Sequence, residues 1–224
     1  METGSQHSPS QTVLAVFVFL VFLFLTWMGA WVLERAIEPS VVFISTSQGQ
    51  FLYWLGMRLL LWVLPALLLI RYSGRSLSEV MGSTRLRAAV IWGGGIGLVL
   101  GVITLGSKVL GHQPLLSSSE ALAVVSAVVV APIIEEVAFR GAVLGALMPR
   151  YRFWTANLVT AVVFLGIHLP GWYFQGALIG DLRSPLGGAL SIFILGLVFG
   201  YVAYRSKSVS GSIIAHALNN FFNI

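Results

Sequence analysis

The chain has no cysteine and very little charge. The first absence excludes structural disulfides, thiolate metal sites and a cysteine nucleophile. Charged residues are 9% of 224, where soluble globular domains carry about 25%. That is too little to cover a water-facing surface of this size. Acidic residues are scarcest, 8 against 13 lysines and arginines. The surplus positive charge falls in short turns between apolar runs, so it points to a lipid bilayer and not to nucleic acid. The opening "METGSQHSPS" lacks the basic region of a signal peptide, and the run after it is too long for a signal core.

What is abundant is apolar: 57% of the residues, with a mean hydropathy of +0.90. Seven runs approach the roughly 20 residues that a membrane span needs. They are Gln11–Leu33, Phe51–Ile70, Ala88–Leu105, Glu120–Met148, Trp154–His168, Leu186–Tyr204 and Gly211–Ile224. The expected fold is all-α, a polytopic transmembrane helix bundle of about seven spans in one domain, 1–224, with a polar tail at 1–10. Residues 171–180 are apolar but short, and as a re-entrant piece they would make an eighth. The arginines of the 71–87 loop, Arg150 with Arg152, and Arg205 with Lys207 then share one side of the bilayer. The positive-inside rule makes that side cytoplasmic, with the N-terminus inside and the C-terminus outside. Trp27, Trp31, Trp92, Trp154 and Trp172 are expected near the interfaces.

Small residues mark helix contacts. Gly93, Gly97 and Gly101 form two GxxxG steps, and Gly141 with Gly145 and Gly196 with Gly200 form one each; this spacing lets helices approach closely. "GGGIG" at 93–97 is not a nucleotide loop, since no strand precedes it. Ser117 and Glu120 fit a capping box opening the fourth run. Pro132 falls inside that run and is expected to kink it, opening room beside Glu135.

The polar residues inside the runs carry the chemistry. Charge at the bilayer centre costs at least about 2.5–3.5 kcal/mol per residue and marks function by default. Glu136 and Arg140 are i, i+4, so they share a helix face and can pair. Glu135 lies about 100° round the helix and cannot share that pair equally. His7 and His112 fall in polar stretches. His168 ends the fifth run, four residues after Phe164, and His216 lies in the last run with Asn220 one turn on. Each has a bland reading: interhelical glue for the histidines, Asn219 and Asn220, a structural ion pair for Glu136 and Arg140, a snorkelling side chain for Arg58. Counted from the cytoplasmic helix ends, Glu135 and His168 lie about 20 Å deep and His216 about 10 Å, so the boundaries must shift for them to meet.

A carboxylate and an imidazole can jointly hold and deprotonate a water, and a second imidazole with an amide can donate to an oxyanion. That is a scheme for peptide hydrolysis without serine or cysteine. Glu135, His168 and His216 could equally bind zinc with one position vacant. Glutamate and histidine relays also serve proton-coupled transporters, although no repeat of two similar halves is visible here.

The order EExxxR (Glu135, Glu136, Arg140), FxxxH (Phe164, His168) and HxxxN (His216, Asn220) resembles the CPBP intramembrane endopeptidases. These comprise the type II CAAX prenyl proteases and the bacteriocin-processing, or Abi, proteins. The resemblance places a catalytic half at 117–222 and implies an intramembrane endopeptidase. By it, Glu135 activates the water with His168 as partner, His216 and Asn220 stabilise the oxyanion, and Glu136, Arg140 and Phe164 support them. It favours a glutamic protease without cofactor, with zinc held by Glu135, His168 and His216 as the alternative. It implies a peptide or protein substrate, membrane-embedded or lipidated, and a prokaryotic plasma membrane. A non-catalytic immunity or scaffold protein is the competing function.

Overall fold

The computed structural model describes residues 8–115, 120–184 and 187–224. Ser117, half of the expected capping box, and His7 lie outside the described residues. Glu120, the other half, is itself the N-cap of its helix. The described residues form helices and turns, with no strand among them.

Six helical stretches are long and apolar enough to cross a membrane. We label the main helices α1 (Pro9–Ile37), α2 (Ser47–Tyr72), α3 (Leu86–Leu110), α4 (Ala121–Leu147), α5 (Phe153–Phe174), α6 (Ala189–Ser206) and α7 (Val209–Asn223). The last run is a helix of only 15 residues. At about 1.5 Å per residue it spans about 22 Å, short of a bilayer core. The 171–180 segment holds the end of α5 and the start of a short helix, Leu178–Arg183.

Local chemistry explains most boundaries. Ser8 and Gln11 make a reciprocal capping box at α1, with Pro9 in the first turn. Thr46 accepts from Gly49 at the start of α2. A short helix, Leu77–Met81, opens on a second capping box, Ser76 with Glu79, and closes on left-handed Gly82.

The glycine steps sit at helix crossings. Gly93, Gly97 and Gly101 are buried and face α7. A methyl group on them would meet the Gly211 carbonyl, Leu218 with Ala215, and the Phe222 ring respectively. Gly196 and Gly200 face Ala161 and Asn157 of α5, while Gly141 and Gly145 face Val80 and Arg75. One of the tryptophans expected near an interface is buried. Trp27 is 5% exposed, packed edge-on against Trp54 and Trp62 of α2 at 5.1 and 4.9 Å between ring centroids. It is core between α1 and α2, because the facing helix supplies ring surface instead of lipid headgroups.

The most enclosed span is α4, whose apolar window is 44% buried against 22–39% for the others. It passes Pro132 as continuous helix, with its distortion taken up by a π turn at Ser126–Val130. A proline lacks the N–H for the i−4 carbonyl and its ring presses on that carbonyl. In the residue just before, Ala131, the N–H reaches back five residues to Ser126. The same device precedes Pro65, where Leu64 bonds Leu59 across a π turn at Leu59–Val63. A second wide segment, Val137–Leu144, follows the glutamates. Such turns free carbonyls, and side chains from elsewhere in the fold donate to them. Asn220 donates its Nδ2 to Ala127 at 2.8 Å. Arg75 donates to Gly141 and Ala142 at 2.8 and 3.3 Å. Burial lowers the Arg75 guanidinium to about 10, against the opposing pull of Glu79, so it remains a charged donor at neutral pH.

Candidate active site

Glu135 and Glu136 end the six-residue helical piece between the two π segments of α4, and their surroundings differ sharply. Glu136 is fully buried. Its Oε1 accepts from Arg140 Nη1 and from His216 Nδ1, each at 2.9 Å. Arg140 also donates to the Gly196 carbonyl at 2.8 Å. Its guanidinium lies 4.5 Å from the Phe164 ring centre and 5.6 Å from that of Phe199. Phe199 in turn stacks on His216, 4.6 Å between centroids and 18° between planes. Glu136, Arg140 and His216 thus form one charged knot drawn from α4 and α7, capped by two rings and anchored to α6.

Glu135 is 7% exposed. Among the described residues no side chain donates a hydrogen bond to it. Its nearest polar partner is His216, with Oε2 4.0 Å from Nε2. His216 therefore bridges the two carboxylates. Its Nδ1 carries the proton, because the Glu136 oxygen is an acceptor already held by Arg140. Its Nε2 then faces Glu135 with a lone pair when the ring is neutral, or with a proton when it is charged.

His168 sits where α5 turns before Pro170. The break redirects the His168 backbone N–H to Leu165, at 3.0 Å. That leaves the Phe164 carbonyl for the ring, with Nδ1 at 2.7 Å. A carbonyl only accepts, so Nδ1–H donates and Nε2 keeps its lone pair. The ring packs edge-on to Phe164 at 4.9 Å. Glu135, His216 and Arg58 all act electrostatically on it.

Asn220 is spread more thinly. One amide proton goes to Ala127, and Oδ1 accepts from Asn219 at 3.1 Å. Asn219 thus holds Asn220 in place. The depth mismatch in the sequence also finds its reason. Ser206 and Ser208 are 1% and 3% exposed, and Ser208 and Ser210 both bond the Met81 carbonyl. The turn before α7 is tucked under the Leu77–Met81 helix, so His216 starts deeper than a count from the surface allows.

Zinc would need the Glu135 carboxylate and the Nε2 atoms of His168 and His216. Among the described residues no three His, Cys, Asp or Glu side chains gather to hold a metal, although the Nδ1 bond of His216 to Glu136 leaves its Nε2 open. A cavity of about 580 Å³ opens at the arginine-rich end, between Arg75, Glu79, Arg205 and Lys207. It reaches Arg140, but its lining does not include Glu135, His168 or His216. One contributor carried no signal of its own: Arg75, which holds α4 carbonyls, comes from a loop.

Residues 117–222 match the family model "Type II CAAX prenyl endopeptidase Rce1-like". A Bacillus subtilis (strain 168) protein named "Putative membrane peptidase YdiL" is 28% identical over 101 residues, 45% of this chain and 35% of that protein. The match spans about a third of the length of that curated relative. No solved structure matches the chain. Six apolar spans and this match make the chain an integral membrane protein. Through residues 117–222, which carry every side chain from Glu135 to Asn220, it is similar to the Rce1-like type II CAAX prenyl endopeptidases.

Proposed function

We propose that the chain is a glutamic intramembrane endopeptidase. The coarser part of that statement, a membrane protease, draws support from the Rce1-like match and from the relative named as a membrane peptidase. The finer part rests on one observation: a carboxylate without a hydrogen-bond donor, 4.0 Å from an imidazole nitrogen. That gap suits one water shared by Glu135 and His216, with His168 Nε2 as a further acceptor.

In the proposed reaction Glu135 takes a proton from the water as its oxygen bonds the scissile carbonyl carbon. The carbonyl electrons move onto the oxygen, which Nε2–H of the charged His216 ring and the remaining Asn220 amide proton stabilise. Collapse of the adduct expels the amine, which takes the proton back from Glu135. Glu136 and Arg140 hold His216 and α4 in register, and Phe164 shelves Arg140 and His168. No metal enters this scheme. The substrate is a peptide or protein segment, membrane-embedded or lipidated. The arginine-rich loops face the cytoplasm of a prokaryotic cell, with the N-terminus inside and the C-terminus outside.

Purified protein in vesicles is expected to cleave a quenched fluorescent peptide, and Glu135→Ala to abolish the cleavage while the protein stays folded. Cleavage by that variant at the wild-type rate would remove the mechanism. A non-catalytic scaffold predicts peptide binding without cleavage by either protein.

A further inference from the structure

Arg58 lies in the middle of α2. At about 1.5 Å per residue it is about 16 Å from one end, at Ser47, and about 21 Å from the other, at Tyr72. That is further from either surface than an arginine side chain reaches, so snorkelling does not account for it. Nor does pairing. Among the described residues it makes no salt bridge, and its buried Nε has no hydrogen-bond partner. Its one aromatic contact is the Trp27 ring, at 6.0 Å, the outer limit for a cation–π interaction. Arg140 differs: its Nε is unpartnered too, but a carboxylate, a carbonyl and two rings engage the rest of its guanidinium.

The position of Arg58 relates it to the candidate site. Trp62, one turn on and on the same face, meets Phe139 of α4 edge-on at 5.9 Å. Phe139 meets Phe164 at 5.2 Å, and Phe164 meets His168 at 4.9 Å. This chain of rings thus links α2 at Arg58 to both histidines, since Phe164 also meets His216 at 6.3 Å. The other donors near Glu135 are largely spent: His216 Nδ1 on Glu136, one Asn220 proton on Ala127, Arg140 on Glu136 and Gly196.

We propose that Arg58 is a catalytic residue of the hydrolysis, its guanidinium binding the oxyanion that forms when water adds to the scissile carbonyl. This rests on the hydrolytic reading above. The unpaired cation is tolerated because its partner exists only in the transition state, where such a charge is most effective.

The test uses the full chain in vesicles, two reporter peptides differing only in a free or amidated C-terminus, and Glu135→Gln, Arg58→Gln and Arg58→Lys. With Glu135→Gln inactive, Arg58→Gln is expected to lower kcat about 10²–10³-fold on both peptides with KM little changed. Arg58→Lys recovers part of the rate, and the thermal midpoint of Arg58→Gln equals or exceeds that of wild type. A wild-type kcat for Arg58→Gln overturns the assignment and leaves the hydrolytic reading standing. So does a loss confined to KM on the free-carboxylate peptide, which makes Arg58 a carboxylate subsite. A lowered midpoint without rescue by lysine makes it structural. Full activity in Glu135→Gln removes the hydrolytic reading, and this assignment with it.

Discussion

Two faces of α4, one residue apart in sequence, treat the same side chain in opposite ways. On one, Glu136 is held through Oε1 by Arg140 and His216 behind two rings. On the other, Glu135 has a single imidazole nitrogen at 4.0 Å. A buried carboxylate held by a cation and a second donor is a structural element, since removing its partner strands a charge. A buried carboxylate left short of donors needs a partner from outside the fold. The difference teaches that the pair is a division of labour: one glutamate fixes the scaffold so that the other can stay uncommitted.

The comparison breaks most severely at Arg140. Arg140→Ala strands Glu136 and is expected to cost about 3–5 kcal/mol, read as a collapse of the folded fraction in detergent. Retention of wild-type stability would mean that the Glu136 side is not the scaffold. Asn220 comes next. Asn220→Ala is expected to lower kcat about 10²-fold as one oxyanion donor is lost. The lost bond to Ala127 should cost only about 0.6 kcal/mol of stability, typical of an interhelical bond in a membrane. A stability loss that accounts for the whole rate effect would move Asn220 to the scaffold. Gly93→Leu drives a side chain into the Gly211 carbonyl, with an expected cost of about 1–3 kcal/mol from overpacking. Because α7 carries His216, the thermal midpoint and kcat should fall together. The smallest effect is expected from metal removal: a zinc chelator leaves the rate unchanged in the glutamic scheme, and inactivation reversed by zinc would contradict it.

Much of this was legible from residues. Apolar runs gave the helices, since a bilayer demands long apolar segments with internally bonded backbone. The GxxxG steps found their crossings because a missing Cβ is a sequence fact with direct steric meaning. The Glu136–Arg140 pair followed from helical spacing alone. Contacts between helices were harder. Nothing near His216 shows that it would join both carboxylates, because that depends on the turn at Ser206–Ser208 being buried. Pro132 signalled a distortion, but nothing in the sequence says that a π turn absorbs it, as one also does before Pro65. Trp27 read as an interfacial anchor until α2 supplied the rings that bury it. Arg58 stood out as a charge in a span, and only the position of α2 beside α4 relates it to His168.

The most direct measurement compares Glu135→Gln with Glu136→Gln, side by side, for thermal midpoint and peptide cleavage in the same vesicles. The division of labour predicts that Glu135→Gln is inactive with a midpoint at or above that of wild type. Glu136→Gln, which leaves Arg140 without its counter-charge, should be markedly less stable. An active Glu135→Gln, or a Glu136→Gln as stable as wild type, would contradict it.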